Sequence, residues 1–179
     1  HQSAARCYDQ ASEFEKAAEC YMICGGIDQA VRSVLRSKDT KCFEKAINLY
    51  AQDESKEILA SDVYKQYITK LVAGKEFENF FSVSDKYISL LTRIEQWPFV
   101  YKEILSQVII KVSLGELVGA DRILANHLNT NSFVHSQEYA AADDLITAIR
   151  ENDSDNLKKI QSSPTVLYVN TEVVKIAKT

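Results

Sequence analysis

Apolar side chains recur at three- and four-residue spacing along almost the whole chain, the pattern of helices that bury one face. Phe14, Ala17, Ala18, Tyr21 and Met22 keep that period, and so do Ile27, Ala30, Val31, Val34 and Leu35, with Arg32, Arg36 and Lys38 on or near the opposite face. Ala4, Ala5, Tyr8 and Ala11 form a small-residue stripe ahead of them, suited to close contact between helices. A longer helix is predicted from about Ser55 to Gly74 through Ile58, Leu59, Val63, Tyr67, Ile68, Leu71 and Val72. Glu76 to Gln96 carries Phe77, Phe80, Phe81, Val83, Tyr87, Ile88, Leu91 and Ile94 at the same spacing. Phe99 to Leu114, Leu117 to Leu128 and His135 to Ile149 continue it, so helix is expected nearly everywhere.

The pattern also repeats on a longer scale. The octet Phe43-Glu44-Lys45-Ala46-Ile47-Asn48-Leu49-Tyr50 has an earlier copy at Phe14-Glu15-Lys16-Ala17-Ala18-Glu19-Cys20-Tyr21. Two weaker copies stand at Gly74 to Phe80 and Gly115 to Ala120, so the anchors Phe14, Phe43, Phe77 and Leu117 are 29, 34 and 40 residues apart. Spacings of this size belong to helical-hairpin repeats, in which one unit cannot bury its apolar face alone and stacks on its neighbours. The expected architecture is all-α, with antiparallel hairpins stacked as a solenoid.

Punctuation residues set the element ends. Ser12 to Glu15 reads as a capping box, Gly25-Gly26 as a left-handed helix stop, and Asp39-Thr40 as a source of N-cap oxygens for the Phe43 helix. Trp97-Pro98 separates two helices, because the residue before proline avoids the helical region while Pro98 suits the first turn of the next. The polar break Asn129-Thr130-Asn131-Ser132 divides a repeat array over 1–129 from a helical cap over 130–179. Within that cap Asp153 is expected to start a short helix containing Leu157 and Ile160. The β-branched stretch Val166 to Val174 reads equally as a helix or as an irregular packing segment.

Composition narrows the chemistry. With 179 residues, 46% hydrophobic, and only five glycines and two prolines, the chain has the material for a real core and little for tight β-turns. A net charge of −4 argues against nucleic acid as a main partner. The run Val108-Ile109-Ile110 is far short of the roughly 18 residues a membrane span requires, and no signal peptide is read. Cys7, Cys20, Cys24 and Cys42 lack CxxC spacing and a nearby histidine, so they read as buried reduced thiols rather than a metal site. His1, His127 and His135 lie on polar or terminal stretches with no nucleophile at a catalytic spacing, and Gly25-Gly26 lacks the Lys-Ser/Thr of a phosphate loop. The chain is therefore expected to be a binding protein without catalysis, cofactor or metal. It begins at His1 inside a helical pattern and so reads as part of a longer protein.

Several stretches, in order, resemble the soluble NSF attachment proteins, or SNAP adaptors, and the gamma branch in particular. They are Ala4-Ala5-Arg6-Cys7-Tyr8-Asp9-Gln10-Ala11, the Phe43 octet, Ile94-Glu95-Gln96-Trp97-Pro98-Phe99-Val100-Tyr101-Lys102, Val118-Gly119-Ala120-Asp121-Arg122 and Ala140-Ala141-Ala142-Asp143-Asp144-Leu145. The resemblance implies a tetratricopeptide-like, right-handed twisted solenoid with a C-terminal helical bundle. It implies an adaptor that lays a basic face on an assembled SNARE four-helix bundle and offers an acidic end to the hexameric NSF ATPase, in vesicle membrane fusion and intracellular protein transport. The implied location is cytoplasmic and peripheral on membranes, with membrane contact through parts of the family not present in this sequence. Carried over by position, Lys102 is the first SNARE-facing candidate. Lys65 and Lys70 are weaker, since Gln66 stands where a family lysine is expected. Asp144, Glu151, Asp153 and Asp155 fall in the acidic end, where residues 136–155 carry six carboxylates against the single Arg150. The alternative is a generic helical-repeat scaffold that binds a peptide or protein partner in its groove.

Overall fold

The computed structural model describes residues 1–37 and 41–178, and every described element is helical. The expected caps Asp39 and Thr40, and Lys38 before them, lie outside the described residues. The chain forms two compact units, His1–Tyr67 and Ile68–Thr179.

The first unit contains α1 (Gln2–Gln10), α2 (Phe14–Ile23), α3 (Ile27–Arg36), α4 (Lys41–Tyr50), a 3-10 turn over Glu54–Lys56 and the first part of α5 (Glu57–Ala73). Its helices pack in sequence, α1 on α2, α2 on α3 and α3 on α4. Alanines 5, 17, 30 and 46 are fully buried, so helices meet across methyl groups where larger side chains would force them apart. Val31, Val34 and Phe43 fill the wider gaps, and Phe43 stacks on Tyr67 at 5.2 Å between ring centroids. Ala4 and Ala11 face solvent, which leaves Ala5 as the packed member of the expected small-residue stripe.

Ion pairs in this unit record the repeat. Arg36 of α3 reaches Asp9 of α1 at 2.5 Å, Lys45 of α4 reaches Glu15 of α2, and Lys56 reaches Asp28 of α3 at 2.9 Å. The partners are 27, 30 and 28 residues apart, so each pair joins a position to its counterpart about one hairpin later. Exposed pairs of this kind contribute little stability, about 0–1 kcal/mol each, and act here as markers of register.

The second unit holds the end of α5, then α6 (Phe77–Arg93), α7 (Trp97–Ser113), α8 (Leu117–Asn126), a 3-10 turn over Phe133–His135, α9 (Gln137–Arg150), α10 (Ser154–Gln161), α11 (Pro164–Leu167) and α12 (Thr171–Ala177). Its centre is α7, which packs on α6, α8, α9 and α12 and is buried on every side from Glu103 to Ile110. The repeat anchors begin the second helix of each pair: Phe14, Phe77 and Leu117 are the first residues of α2, α6 and α8, and Phe43 stands two residues into α4.

One turn serves most junctions. The left-handed residues Ser12, Gly25, Lys75, Glu95, Gly115 and Asn152 each follow a helix, and the next residue returns its N–H to the carbonyl five positions back. Gly26 to Tyr21 at 2.8 Å and Gln96 to Leu91 at 2.8 Å are two examples of this Schellman closure. The residue that makes the bond is the N-cap of the following helix. This geometry replaces the expected capping box: Ser12 sits at φ 61°, Glu13 is the N-cap of α2, and no side chain caps that helix. The Ser hydroxyl therefore stands one position too early to meet the amides of the first turn.

Two further expectations change. Cys42 is buried and Cys20 half-buried, but Cys7 and Cys24 are exposed, because they fall on the outer face of α1 and at the end of α2. The stretch 166–174 is neither one helix nor irregular. Ser163 caps α11 and Asn170 caps α12, so the segment folds as two short helices with separate starts. Asn170 also donates from Nδ2 to Thr69 Oγ1 at 2.8 Å, tying the start of α12 to α5 across 101 residues.

Candidate partner-binding surfaces

Helix α7 opens with Trp97 and Pro98, where a missing N–H costs nothing because the first-turn amides have no intrahelical acceptor. The second turn places Lys102 beside Phe99, with the ammonium 5.8 Å from the ring centroid. Phe99 is 41% exposed and Lys102 half-buried, so the lysine stem lies along an aromatic surface while its charge faces outward. Tyr101 turns away, packing on Phe133 at 5.5 Å and donating its hydroxyl to the Asn131 carbonyl at 3.4 Å. The result is a cation–aromatic pair presented by a helix that is otherwise core.

The other two lysines have different settings. Lys70 is exposed in the last turn of α5, where the helix dipole favours a cation. Lys65 belongs to the first unit, is exposed, and has Asp62 Oδ1 at 3.4 Å, so part of its charge is answered by its own helix. Gln66 beside it is exposed as well.

The acidic candidates gather around the turn from α9 to α10. Glu151 is the C-cap of α9 and lies seven residues after Asp144, which places both on one side of that helix, about 10 Å apart along its axis. Asp153 and Asp155 follow across the left-handed Asn152. All four are exposed. Asp153 is also the N-cap of α10, and its Oδ1 accepts the Asn156 amide at 3.0 Å. Arg150 is turned to the other side, in an ion pair with Asp121 of α8, so it does not cancel the acidic turn directly.

Periodicity did not reveal a polar group inside the α6–α7 contact. Ser84 donates its hydroxyl to Glu103 Oε1 at 2.6 Å, and Gln107 Nε2 donates to Ser84 Oγ at 2.9 Å and to Asp85 Oδ1 at 2.8 Å. Ser84, Glu103 and Gln107 are buried. Burial pushes the Glu103 carboxyl up to about 7, against the Ser84 hydrogen bond that favours the ionised form, and the Asp85 charge adds to the rise. His127, at the end of α8, is held below its ordinary value by burial, partly offset by the Asp85 charge. The network fixes the register of α6 on α7; with Ser84 and Gln107 enclosed, no substrate reaches them. A readable signal existed: Glu103 and Gln107 are four apart, on one side of the helix.

No family model matches the chain. Over 138 residues, 77% of its length, it is 30% identical to the gamma-soluble NSF attachment protein of Dictyostelium discoideum. This similarity supports the soluble NSF attachment protein family for the chain. A second relative, the gamma-soluble NSF attachment protein of Arabidopsis thaliana, is 22% identical over 177 residues, 94% of this chain. The chain spans 42% of the length of the first relative and 61% of the second. The Phe99–Lys102 pair and the acidic α9–α10 turn both belong to the second unit. Among the described residues no helix is long and apolar enough to cross a membrane.

Proposed function

We propose that this chain is part of an adaptor that binds assembled SNARE four-helix bundles and recruits the NSF ATPase to disassemble them during vesicle fusion and intracellular protein transport. The observation that carries the reading is the 30% identity over 77% of the chain to a protein named for NSF attachment. The geometry agrees with it physically. The exposed charges suit many weak contacts. Lys102 on its aromatic platform is the strongest SNARE-facing candidate, with Lys70 and Lys65 as lesser contacts. Asp144, Glu151, Asp153 and Asp155 form the surface offered to NSF. The work of disassembly comes from the ATPase, and the adaptor itself carries no catalytic group. Its place is on the cytoplasmic side of membranes, held there through its partners.

Affinity capture tests the reading. Immobilised chain is expected to retain a preassembled SNARE bundle, and NSF in a second step, while leaving single unassembled SNAREs and short acidic peptides in the flow-through. Retention of short peptides without the bundle would favour a generic repeat scaffold instead.

A further inference from the structure

The second unit contains a cavity of about 330 Å³ between α7, α9, α10 and α12. Ile109 and Val112 of α7, Ile149 of α9, Leu157 of α10 and Ile176 of α12 form its apolar walls. Four of these five are only half-buried, although large aliphatic side chains in a packed unit of this size are ordinarily enclosed. The cavity is partly open to solvent, with Ser113 exposed, and its volume is many times that of a water molecule. It falls in the size range of small-molecule sites, which are mostly apolar with a few polar groups that fix orientation.

The polar groups here are Ser113 and Gln161. The Ser113 hydroxyl already donates to the Ile110 carbonyl at 2.7 Å, so what it offers a ligand is lone pairs. The Gln161 amide offers one acceptor and two donors. No Lys, Arg, His, Asp or Glu stands among the described residues that line the cavity. A carboxylate or ammonium headgroup would enter without a counter-charge, which is costly in an apolar wall. A hydroxyl matches: it donates its one proton to Ser113 Oγ and accepts from Gln161 Nε2.

We propose that this cavity binds an uncharged aliphatic molecule with a hydroxyl head, its chain lying against Ile109, Ile149 and Leu157 and its hydroxyl between Ser113 and Gln161. The Asn170 cap and its bond to Thr69 hold the start of α12, so that helix forms a fixed wall behind the ligand. This binding is independent of the SNARE and NSF reading and stands or falls separately.

The test uses the 179-residue chain with 1-decanol, sodium decanoate and decylamine as probes, followed by methyl-resolved NMR and calorimetry. Saturable shifts confined to the methyls of Ile109, Val112, Ile149, Leu157 and Ile176 are expected with decanol, with decanoate and decylamine weaker by about tenfold or more. Ser113→Ala should weaken decanol by about fivefold to tenfold, the worth of one hydrogen bond. Ala177→Phe, which fills the cavity, should abolish the shifts. If that variant fails to fold, Leu157→Phe serves in its place, with Trp97 fluorescence as the check on folding. Absence of saturable binding up to the solubility of decanol would overturn the proposal. So would equal affinity for all three probes, or binding that survives the filled cavity.

Discussion

Replacing Glu103 by glutamine gives the sharpest test of the α6–α7 contact. The folded protein holds the Glu103 proton up to about pH 7, whereas an exposed carboxyl releases it near 4.5. Between those values the folded state binds more protons than the unfolded chain, so stability falls as pH rises through the window. At 1.36 kcal/mol per pH unit the loss amounts to about 3 kcal/mol by pH 8. Below pH 4 both states hold the proton and the loss vanishes. The glutamine amide would accept the Ser84 hydroxyl without ever ionising, so Glu103→Gln should match the parent near pH 4 and exceed it by about 3 kcal/mol at pH 8. The assay is urea unfolding from pH 4 to 8 followed through Trp97, the single tryptophan, which starts α7 inside the second unit. A difference that stays flat across that range would refute the reasoning, and a variant that becomes relatively less stable as pH rises would reverse it.

Other perturbations test the turns and the acidic end. Gly115 is left-handed at φ 75° with open space where a Cβ would stand, so Gly115→Ala should cost about 1 kcal/mol in chemical denaturation through backbone strain alone. Glu95→Gly is expected to gain roughly 0.5 kcal/mol by relieving the same strain at φ 57°; a loss of stability would mean that the Glu95 side chain contributes more than its backbone costs. Asp153→Ala should destabilise α10 by about 1 kcal/mol and speed amide exchange there, whereas Asp153→Asn keeps the cap and removes the charge. NSF binding that weakens in both variants, while α10 stays protected in the Asp153→Asn protein, would assign the effect to charge rather than to a frayed helix.

Much of the fold was legible because its repeat is written in large apolar residues. Phe14, Phe77 and Leu117 each open the second helix of a pair, Phe43 stands two residues into α4, and Gly25 and Gly115 mark two of the turns. How the remaining turns close was hidden because Schellman closure is made by backbone groups: Ser12, Lys75, Glu95 and Asn152 adopt it without glycine, and at Ser12 a sequence resembling a capping box concealed it. The periodicity of α7 gives its apolar face, but four neighbours bury every side from Glu103 to Ile110, which the apolar pattern does not announce for the polar positions. That is why Glu103 and Gln107 were missed. In the tail, Ser163-Pro164 and Asn170 were readable as two separate helix starts, but the β-branched run between them obscured the signal. The candidate binding residues came from resemblance, and their surroundings could not. Nothing in the sequence announces that Lys102 rests on Phe99, that Lys65 has Asp62 beside it, or that Asp153 holds the Asn156 amide.

The adaptor reading is tested most directly by measuring the affinity of the chain for a fluorescent, preassembled SNARE four-helix bundle by anisotropy across a salt series, with Lys102→Glu in parallel. Exposed charge pairs are screened over a Debye length of about 10 Å at about 0.1 M salt, so binding through a basic face should weaken steadily as salt rises. The account predicts saturable, salt-sensitive binding that Lys102→Glu reduces severalfold. No binding of this chain to the folded bundle at low salt would contradict the account.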